Sequence, residues 1–375
     1  MTARSDGGDE TGVSLSIIGR IASDRGTSLS VHVNAEIDTL EGFAAPPSQR
    51  VNLFPVDWQV DVEGIDKIFQ RAKTDQWHIE DLPWASYDMA DYSPDERTAL
   101  AYEMGRWRIL ENLGPALFAR MLLRVSEGHE SGLATKFMLT SLIADEGRHE
   151  ELFTRLSQRA FPLMTDDPST LSPMAKSARR ALGWLEWNLG QLYDGYDVAF
   201  RQEPLPVATF SFLLGERVGV AVFHRRAENS SNPLLRDAFR LLAHDESRHL
   251  AFMRLLFKSL GTVWEDPRLT AAGTRQIRAG FEFTSMIPGW REGIVRPWKF
   301  PADYWEVDAS LSGIARAAGL GSLDAEQRLG VMRDSMVDIR AVSQEYGVPF
   351  PAIPELGLDG VSVSFSGKGV GLSAV

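Results

Sequence analysis

The sequence predicts an all-α protein, built as a four-helix bundle with an additional connecting helix and extra helices after the bundle. Three observations lead to this prediction. Residues 93–262 carry long stretches of helical patterning, and short polar or proline-containing segments divide those stretches. The sequence Asp-Glu-x-Arg-His also occurs twice, at 145–149 and at 245–249, so two of the predicted helices carry the same motif.

The composition is that of an ordinary globular protein. The chain has 375 residues, and 44% of them are hydrophobic, which supplies a sizeable buried core. It has no cysteine, which excludes disulfides, iron–sulfur clusters and thiolate zinc sites, so any bound metal must have oxygen and nitrogen ligands. The net charge of −12, without blocks of Lys and Arg, argues against nucleic-acid binding. Because no apolar run is long enough for a membrane span and the first residues lack the pattern of a signal peptide, we expect a cytoplasmic protein that does not bind membranes.

Residues 1–92 form the first predicted region, an N-terminal extension that is partly irregular. Two short alternating stretches at 13–18 and 28–33 predict a small β-hairpin. The aromatic segment 77–92 predicts irregular structure packed on the helices after it, and its residues indicate no function.

The bundle is predicted at 93–262 and begins with a strong helix start signal. Ser93 is an N-cap, Pro94 lies in the first turn and Glu96 completes a capping box. The first helix is predicted to run to about residue 124, with a kink caused by Gly114-Pro115. The second helix is predicted at about 131–159.

A connecting helix is predicted at about 174–200, before the second helix pair. The third bundle helix spans about 207–228. The turn at 229–233 supplies an N-cap and a first-turn proline for the fourth, which runs to about residue 260.

Residues 263–375 are predicted to be a C-terminal helical extension and tail packed on the bundle. Helical patterning returns at about 269–286 and 324–346, separated by a segment rich in Pro and Trp. The alternation at 361–365 predicts a strand that could pair with the N-terminal hairpin.

The repeated motif places a carboxylate and an imidazole three residues apart. In a helix such residues share a face, so Glu146 with His149, and Glu246 with His249, can each present two metal ligands to one point. A single Glu-x-x-His arises often by accident on a solvated helix face, but its repetition with the same flanking Asp and Arg favours a metal site.

A di-metal site in a four-helix bundle also needs one carboxylate from each of the other two helices, at the same level. Counting back across the predicted turns places these partners near positions 110 and 216, where the chain has Glu111 and Glu216. Both lie among apolar neighbours, and a buried carboxylate must be paired or bound to metal. Glu103, the competing acid, lies eight residues earlier, roughly 12 Å along the helix. We interpret it as an ordinary surface acid or one that supports the ligands.

Glu111, Glu146-x-x-His149, Glu216 and Glu246-x-x-His249 resemble the ligand set of the ferritin-like di-iron carboxylate superfamily. The doubled Asp-Glu-x-Arg-His motif is similar to that of bacterial multicomponent monooxygenase hydroxylases, and 215–249 resembles soluble acyl-carrier-protein desaturases. The likeness covers roughly residues 94–260. It implies a ferritin-like fold in which these six residues bind two iron ions, or manganese and iron, with dioxygen as co-substrate.

The resemblance also implies roles for the other repeated residues. Asp145 and Asp245 would accept hydrogen bonds from the histidine ligands, and Arg148 and Arg248 would pair with acids around the site. Turn spacing from the ligands further predicts an apolar substrate pocket, which would exclude water from the oxidant. Its predicted members are Gly114, Phe153, Phe212, Leu213, Gly219, Val220, Leu242 and Met253.

Four positions depart from the patterns of particular subfamilies. Phe153 stands where ribonucleotide reductase small subunits carry a radical tyrosine, which disfavours that function. Gly219 and Val220 replace a threonine common to the monooxygenases and desaturases. Leu242 stands where arylamine N-oxygenases have a seventh ligand.

We therefore expect an oxygen-dependent non-haem di-iron enzyme that hydroxylates, N-oxygenates or desaturates a small-molecule or carrier-protein-bound substrate. An external electron donor, such as a ferredoxin or a reductase, would supply two electrons, and we expect a homodimer. The alternatives are a ribonucleotide-reductase-like or manganese/iron oxidase and, from another class, an iron-storage protein of ferritin type. The last is disfavoured because the chain far exceeds a four-helix unit.

Overall fold

The computed structural model describes residues 62–128, 133–202, 205–259, 300–346, 350–366 and 369–374. The predicted N-terminal hairpin and the predicted helix at 269–286 lie outside these residues. The domain boundaries drawn from the sequence, at residues 92 and 262, stay predictions.

The prediction of an all-α fold is confirmed. The helices are α1 (Ile65–Thr74), α2 (Pro94–Glu111), α3 (Leu113–Gly128), α4 (Leu133–Ala160), α5 (Pro173–Gln202), α6 (Leu205–Asn229), α7 (Pro233–Ser259), α8 (Tyr304–Ala317) and α9 (Ala325–Tyr346). Short 3₁₀ turns lie at Ile79–Asp81, Trp84–Ser86, Met89–Asp91, Pro168–Thr170 and Pro354–Leu356. α1 and α8 were not predicted from the sequence. Within the described ranges, no helix is long and apolar enough to cross a membrane.

Helix α2 begins with the predicted capping box. Ser93 Oγ accepts a hydrogen bond from the backbone of Glu96, whose carboxylate accepts one from the backbone N–H of Ser93 at 2.8 Å. The expected single helix to residue 124 is wrong, because α2 ends at Glu111 and α3 starts at Leu113. Pro115 has no N–H to donate to the carbonyl of Glu111, and its ring crowds that carbonyl. The helix is therefore interrupted directly after Glu111, the first proposed ligand.

Two antiparallel helix pairs form the bundle. In the first, α2 and α3 lie along α4: Arg97 donates to the carbonyl of Ala160, while Gly114, further along, lies against Glu146. In the second, α6 lies along α7, with Gly219 against Glu246. α5 connects the two pairs and packs on α2 and α3.

The buried apolar core has two parts. One contains 117–125, 138–142, 213–218 and 252–257, and the other contains 99–109, 152–160 and 234–243. On α4 and α7 the two Glu-x-x-His motifs lie between these parts. The motifs are thus held at mid-height in the bundle, with apolar packing on either side to keep water out.

The C-terminal elements pack outside the bundle. α8 contacts α2 and α5, and Asp308 on α8 accepts hydrogen bonds from the Tyr102 hydroxyl at 2.9 Å and from Arg106 at 2.6 Å. α9 contacts α6, where Arg217 pairs with Asp338 at 2.6 Å.

The predicted C-terminal strand is β1 (Val361–Ser366), and it pairs antiparallel with β2 (Gly369–Ala374).

Candidate metal centre

The structure brings together the six residues proposed as ligands. Glu111 lies at the end of α2, Glu216 lies on α6, and α4 and α7 carry the two Glu-x-x-His pairs. The four carboxylate residues are 5–7% exposed and both histidines are fully buried. Since charged groups are rarely buried to this degree without a partner, the arrangement is one that a cation would stabilise.

The ligand atoms fall into two groups of four, each with all members within 4.8 Å of one another. One group is Glu111, Glu146, His149 and Glu246, and the other is Glu146, Glu216, Glu246 and His249. Glu146 and Glu246 belong to both groups. The cluster therefore offers two adjacent metal positions, with one terminal carboxylate and one histidine each and two carboxylates placed to bridge them.

Both histidines turn the same ring nitrogen towards the carboxylates. Nδ1 of His149 lies 3.3 Å from Glu111 Oε2, and Nδ1 of His249 lies 3.2 Å from Glu146 Oε1 and 3.4 Å from Glu216 Oε2. Nδ1 is therefore the atom available to a metal at each position.

The other ring nitrogen of each histidine lies against an aspartate from the opposite helix pair. His149 Nε2 is 3.0 Å from Asp245, and His249 Nε2 is 3.3 Å from Asp145. A proton on Nε2, donated to the aspartate, leaves Nδ1 as the ligand atom and fixes the ring orientation. The structure thus places each aspartate against a histidine, and it adds that the pairing crosses between α4 and α7.

Arg148 and Arg248 complete this network. Arg148 contacts Asp145 at 2.6 Å and Asp245 at 2.9 Å, while Arg248 contacts the same two aspartates at 3.3 Å and 2.5 Å. Two cations therefore face two anions, and the network is neutral. Burial opposes ionisation of Asp245, but the hydrogen bond to His149 and the charges of Arg248 and Arg148 outweigh it and hold the pKa of Asp245 well below its ordinary value.

Trp77 joins the network from the segment before α2. Its indole N–H donates to Asp245 at 2.9 Å, and the Arg148 guanidinium lies 4.7 Å from the ring centre. The sequence pattern indicated only packing for this residue. No local pattern could have revealed its role, because its partner is 168 positions away.

The protonation of the cluster shows how strongly its charges interact. Burial, and next the charge of Glu246, raise the pKa of Glu216 well above its ordinary value, and burial raises that of Glu111 to about 8. Burial opposes the imidazolium form of His149, yet hydrogen bonds to Asp245 and Glu111 raise its pKa well above the ordinary value. Four ionised carboxylates would carry −4, which two divalent ions would neutralise, so the donor set fits such a pair. Binding of the metal ions would displace the protons that these carboxyl groups and His149 hold.

Two glycines lie against the carboxylates that belong to both groups, and at Gly114 there is no room for a side chain. A Cβ at Gly114 would lie 2.2 Å from Glu146 Oε2, and one at Gly219 would lie 3.3 Å from Glu246 Oε2. Each glycine comes three residues after a terminal ligand, Glu111 or Glu216, on the same helix face or its continuation. The two halves of the site are therefore built in the same way.

A cavity of about 270 Å³ adjoins the cluster. The four glutamates line one part of it, and of the predicted pocket residues Gly114, Phe212 and Gly219 lie on its wall. The lining does not include the other five, Phe153, Leu213, Val220, Leu242 and Met253.

Four of those five are fully buried side chains of the apolar core. Phe153, for example, packs on the rings of Trp107 and Phe223. Turn spacing identifies residues on a helix face, but it does not show whether neighbouring side chains fill the space beside them.

Glu103 is not a surface acid. It is 1% exposed, lines the cavity, and pairs with Arg226, while Ser312 donates to it at 2.6 Å. Burial opposes its ionisation, but the charges of Arg226 and Arg106 and the hydrogen bond from Ser312 lower its pKa to about 2. Two further histidines on the bundle helices, His224 on α6 and His244 on α7, are both exposed.

The fold and the cluster define a class: a ferritin-like helical bundle with a buried carboxylate–histidine cluster that could hold two metal ions. No protein-family model and no curated protein sequence matches the chain. Among solved structures, it is similar to a variant of an R2-like ligand-binding oxidase with an aerobically reconstituted Fe/Fe cofactor, at 16% identity and a TM-score of 0.51, covering 76% of this chain and 94% of that one. Another variant, with an anaerobically reconstituted Mn/Fe cofactor, gives 17% identity and a TM-score of 0.50 over 76% of this chain and 94% of that one.

Proposed function

We propose that the protein is an oxygen-dependent non-haem di-iron oxidoreductase that oxidises a small organic substrate with an apolar portion. The observation that carries the proposal is the pair of ligand groups that share Glu146 and Glu246 and border a largely apolar cavity. A site of this kind combines metal positions with a place for a substrate next to them.

Iron is the preferred metal because the donors are carboxylates and imidazoles, and the chain has no cysteine. Manganese with iron is the alternative, since a similar fold is described with each cofactor. When bound, the metal pair would supply the electrons and the Lewis acidity that dioxygen reduction requires.

The chain's own residues have three tasks in this proposal. Asp145 and Asp245 hold the histidines in one orientation. The apolar parts of the core on either side of the cluster exclude water, which would otherwise intercept a strong oxidant. Gly114 leaves the space that the Glu146 carboxylate occupies.

Electrons would come from an external donor, such as a ferredoxin or a reductase, because the sequence has no flavin or nicotinamide fingerprint. Hydroxylation, N-oxygenation and desaturation all remain within the proposal, since each needs the same oxidant beside an apolar substrate.

The proposal is tested by loading the metal-free protein with ferrous iron under anaerobic conditions and then adding oxygen. We expect about two irons per chain, oxygen uptake that depends on iron, and a new near-ultraviolet absorption band. Glu111→Ala and Glu216→Ala each remove a terminal ligand and should lower the iron content. Glu228→Ala is the matched control, because this residue lies on α6 with Glu216 but is exposed and paired with Arg225.

Two results would contradict the proposal. One is full iron binding by both ligand variants together with no iron-dependent oxygen uptake. The other is uptake of iron far beyond two ions per chain by particles of cage size, measured by light scattering, which would indicate storage.

A further inference from the structure

The cavity beside the metal cluster has a second polar end. Arg106, Arg226 and Arg328 line it, together with Glu103. Glu103 lies eight residues from Glu111, and Arg226 lies ten from Glu216, which at 1.5 Å per residue is roughly 12–15 Å along the helices. This group, with Asp308 beside it, is called the arginine end.

The acids of the arginine end are fully engaged. Asp308 contacts Arg106 at 2.6 Å, Arg328 at 3.4 Å and the Tyr102 hydroxyl at 2.9 Å. Glu103 accepts from Arg226 and Ser312. Three arginines therefore face two acids, so the arginine end carries one positive charge in excess.

Arg226 has donors left over. It is 5% exposed, and only its Nη2 has a hydrogen-bond partner; Nε and Nη1 have none within the described part of the chain. Burial lowers its pKa from the ordinary value, which the pairing with Glu103 only partly opposes. The guanidinium also lies over the rings of Trp107 and Phe239, at 5.2 and 5.4 Å from their centres. A buried guanidinium that lines a cavity and has two unused donors is one that an anion in the cavity would stabilise.

The walls between the arginine end and the metal cluster are apolar. They are formed by Trp107, Leu110, Val222, Phe223, Val331 and Met332. The arginine end is also closer to solvent, since the side chains of Arg328 and Arg106 are 33% and 15% exposed, while the glutamates of the cluster are 5–7% exposed as residues. A molecule that enters apolar part first would leave a charged group at the arginine end.

We propose that the cavity binds a free carboxylic acid with an apolar body, whose carboxylate is held by Arg226 and Arg328 and whose body extends towards the metal cluster. This deepens the proposed function, on which it rests, by naming the substrate class. A single excess positive charge matches a monoanion, and the planar guanidinium matches a carboxylate in two parallel hydrogen bonds. A phosphate group would bring a charge of about −1.5 to −2, which exceeds the single positive charge of the arginine end. A carrier-bound thioester would leave this end without an anion.

The test is calorimetric titration of the full-length, metal-free protein, so that its outcome does not depend on iron chemistry. The probes are 4-phenylbutyrate and octanoate, each compared with its primary amide, which has the same shape without the charge. We expect each acid to bind about tenfold or more tightly than its amide, the range for hydrogen bonds to a charged group. Equal binding of acid and amide, no binding of either acid, or tighter binding of 4-phenylbutyl phosphate would each overturn the proposal.

Variants locate the effect. Arg226→Met should abolish the preference for the acid, whereas Arg225→Met, which changes the exposed neighbouring arginine, should retain it. Because Arg226→Met removes the cation nearest to the buried Glu103 and could impair folding, Arg328→Met and the double variant Glu103→Gln/Arg226→Met are measured as well. Retention of the full preference in the folded Arg226 variants would overturn the assignment. A failure of iron binding, by contrast, would leave these titrations unchanged and would count only against the metal proposal.

Discussion

Substitution of Gly114 by alanine is expected to disable the metal site through a single added methyl group. The new Cβ would lie 2.2 Å from Oε2, 2.5 Å from Cδ and 2.8 Å from Cγ of Glu146. Ordinary contacts begin at 3.4 Å, so the carboxylate oxygen would have to withdraw by 3.4 − 2.2 = 1.2 Å. Because Cγ is also too close, rotation of the carboxylate alone would not relieve the contact.

The expected loss of metal affinity depends on how far a ligand can be displaced before it no longer reaches the metal. Ligand distances in working sites vary by roughly 0.2 Å, so a displacement of 1.2 Å removes a ligand that both positions share. Mutation of a residue that only hydrogen-bonds to a ligand lowers metal affinity about 10- to 100-fold, and we expect Gly114→Ala to lower it by at least this factor. Alanine gains about 1 kcal/mol over glycine in a helix interior. Crowding costs about 1–3 kcal/mol, so the metal-free protein should lose little stability.

Two other helical glycines provide controls. Gly219→Ala would place its Cβ 3.3 Å from Glu246 Oε2, which requires a shift of only 3.4 − 3.3 = 0.1 Å, so iron affinity should change little. Gly147 lies inside the first motif, but among the described residues a Cβ there would meet no atom within 4 Å beyond the backbone of its own helix, so Gly147→Ala should bind iron normally. Anaerobic equilibrium dialysis with ferrous iron gives the affinities, and thermal unfolding of the metal-free variants shows whether each is folded.

The reasoning is refuted if Gly114→Ala binds iron as tightly as Gly147→Ala while both unfold at similar temperatures. That result would mean that Glu146 does not occupy the position beside Gly114 when metal is bound.

Three further predictions concern the groups around the site. Asp245→Asn should lower iron affinity about 10- to 100-fold by dialysis, because the histidine loses its anionic partner, whereas Asp237→Asn on the same helix, exposed, should not. Trp77→Phe should keep the iron content but lower the free energy of unfolding in urea by about 1–2 kcal/mol, through the lost hydrogen bond to a charged group; an unchanged value would contradict its role in the network. Glu103 has a pKa of about 2 in the folded protein against an ordinary 4.5, so its contribution, about 3 kcal/mol, is present above pH 4.5 and lost as pH falls towards 2. The double variant Glu103→Gln/Arg226→Met should therefore lose less stability than the wild-type protein over that interval, and an equal loss would refute the assignment.

The level of the ligands along the bundle could be predicted because helices have a constant rise. Counting across two turns pointed to positions 110 and 216, and the structure places Glu111 and Glu216 in the cluster. The break between α2 and α3, which the sequence predicted only as a kink at Gly114-Pro115, did not change the count, because it falls after Glu111 and adds little to the length. The capping box at Ser93 was equally readable, since it depends only on residues close in sequence.

Contacts between residues that are far apart in the sequence could not be predicted from helical spacing. Arg226 pairs with Glu103 across 123 positions, and Trp77 reaches Asp245 across 168, with no periodic pattern to link them. Glu103 could be interpreted only as a surface acid or one that supports the ligands, because the sequence does not show the helix α8 that covers it through Ser312. The pocket was only partly predicted, because core side chains such as Phe153 occupy the space that turn spacing assigned to it.

The crossed pairing of Asp145 with His249, and of Asp245 with His149, bears on when the site can form during synthesis of the chain. The first helix pair contains only half of the ligands and no aspartate placed to orient its own histidine. Partners about 100 residues apart must meet, and contacts of such separation form slowly. A nascent chain that ends before α7 therefore has no complete metal position. Iron acquisition is expected to follow the docking of the second helix pair, which makes metal content a late marker of correct folding.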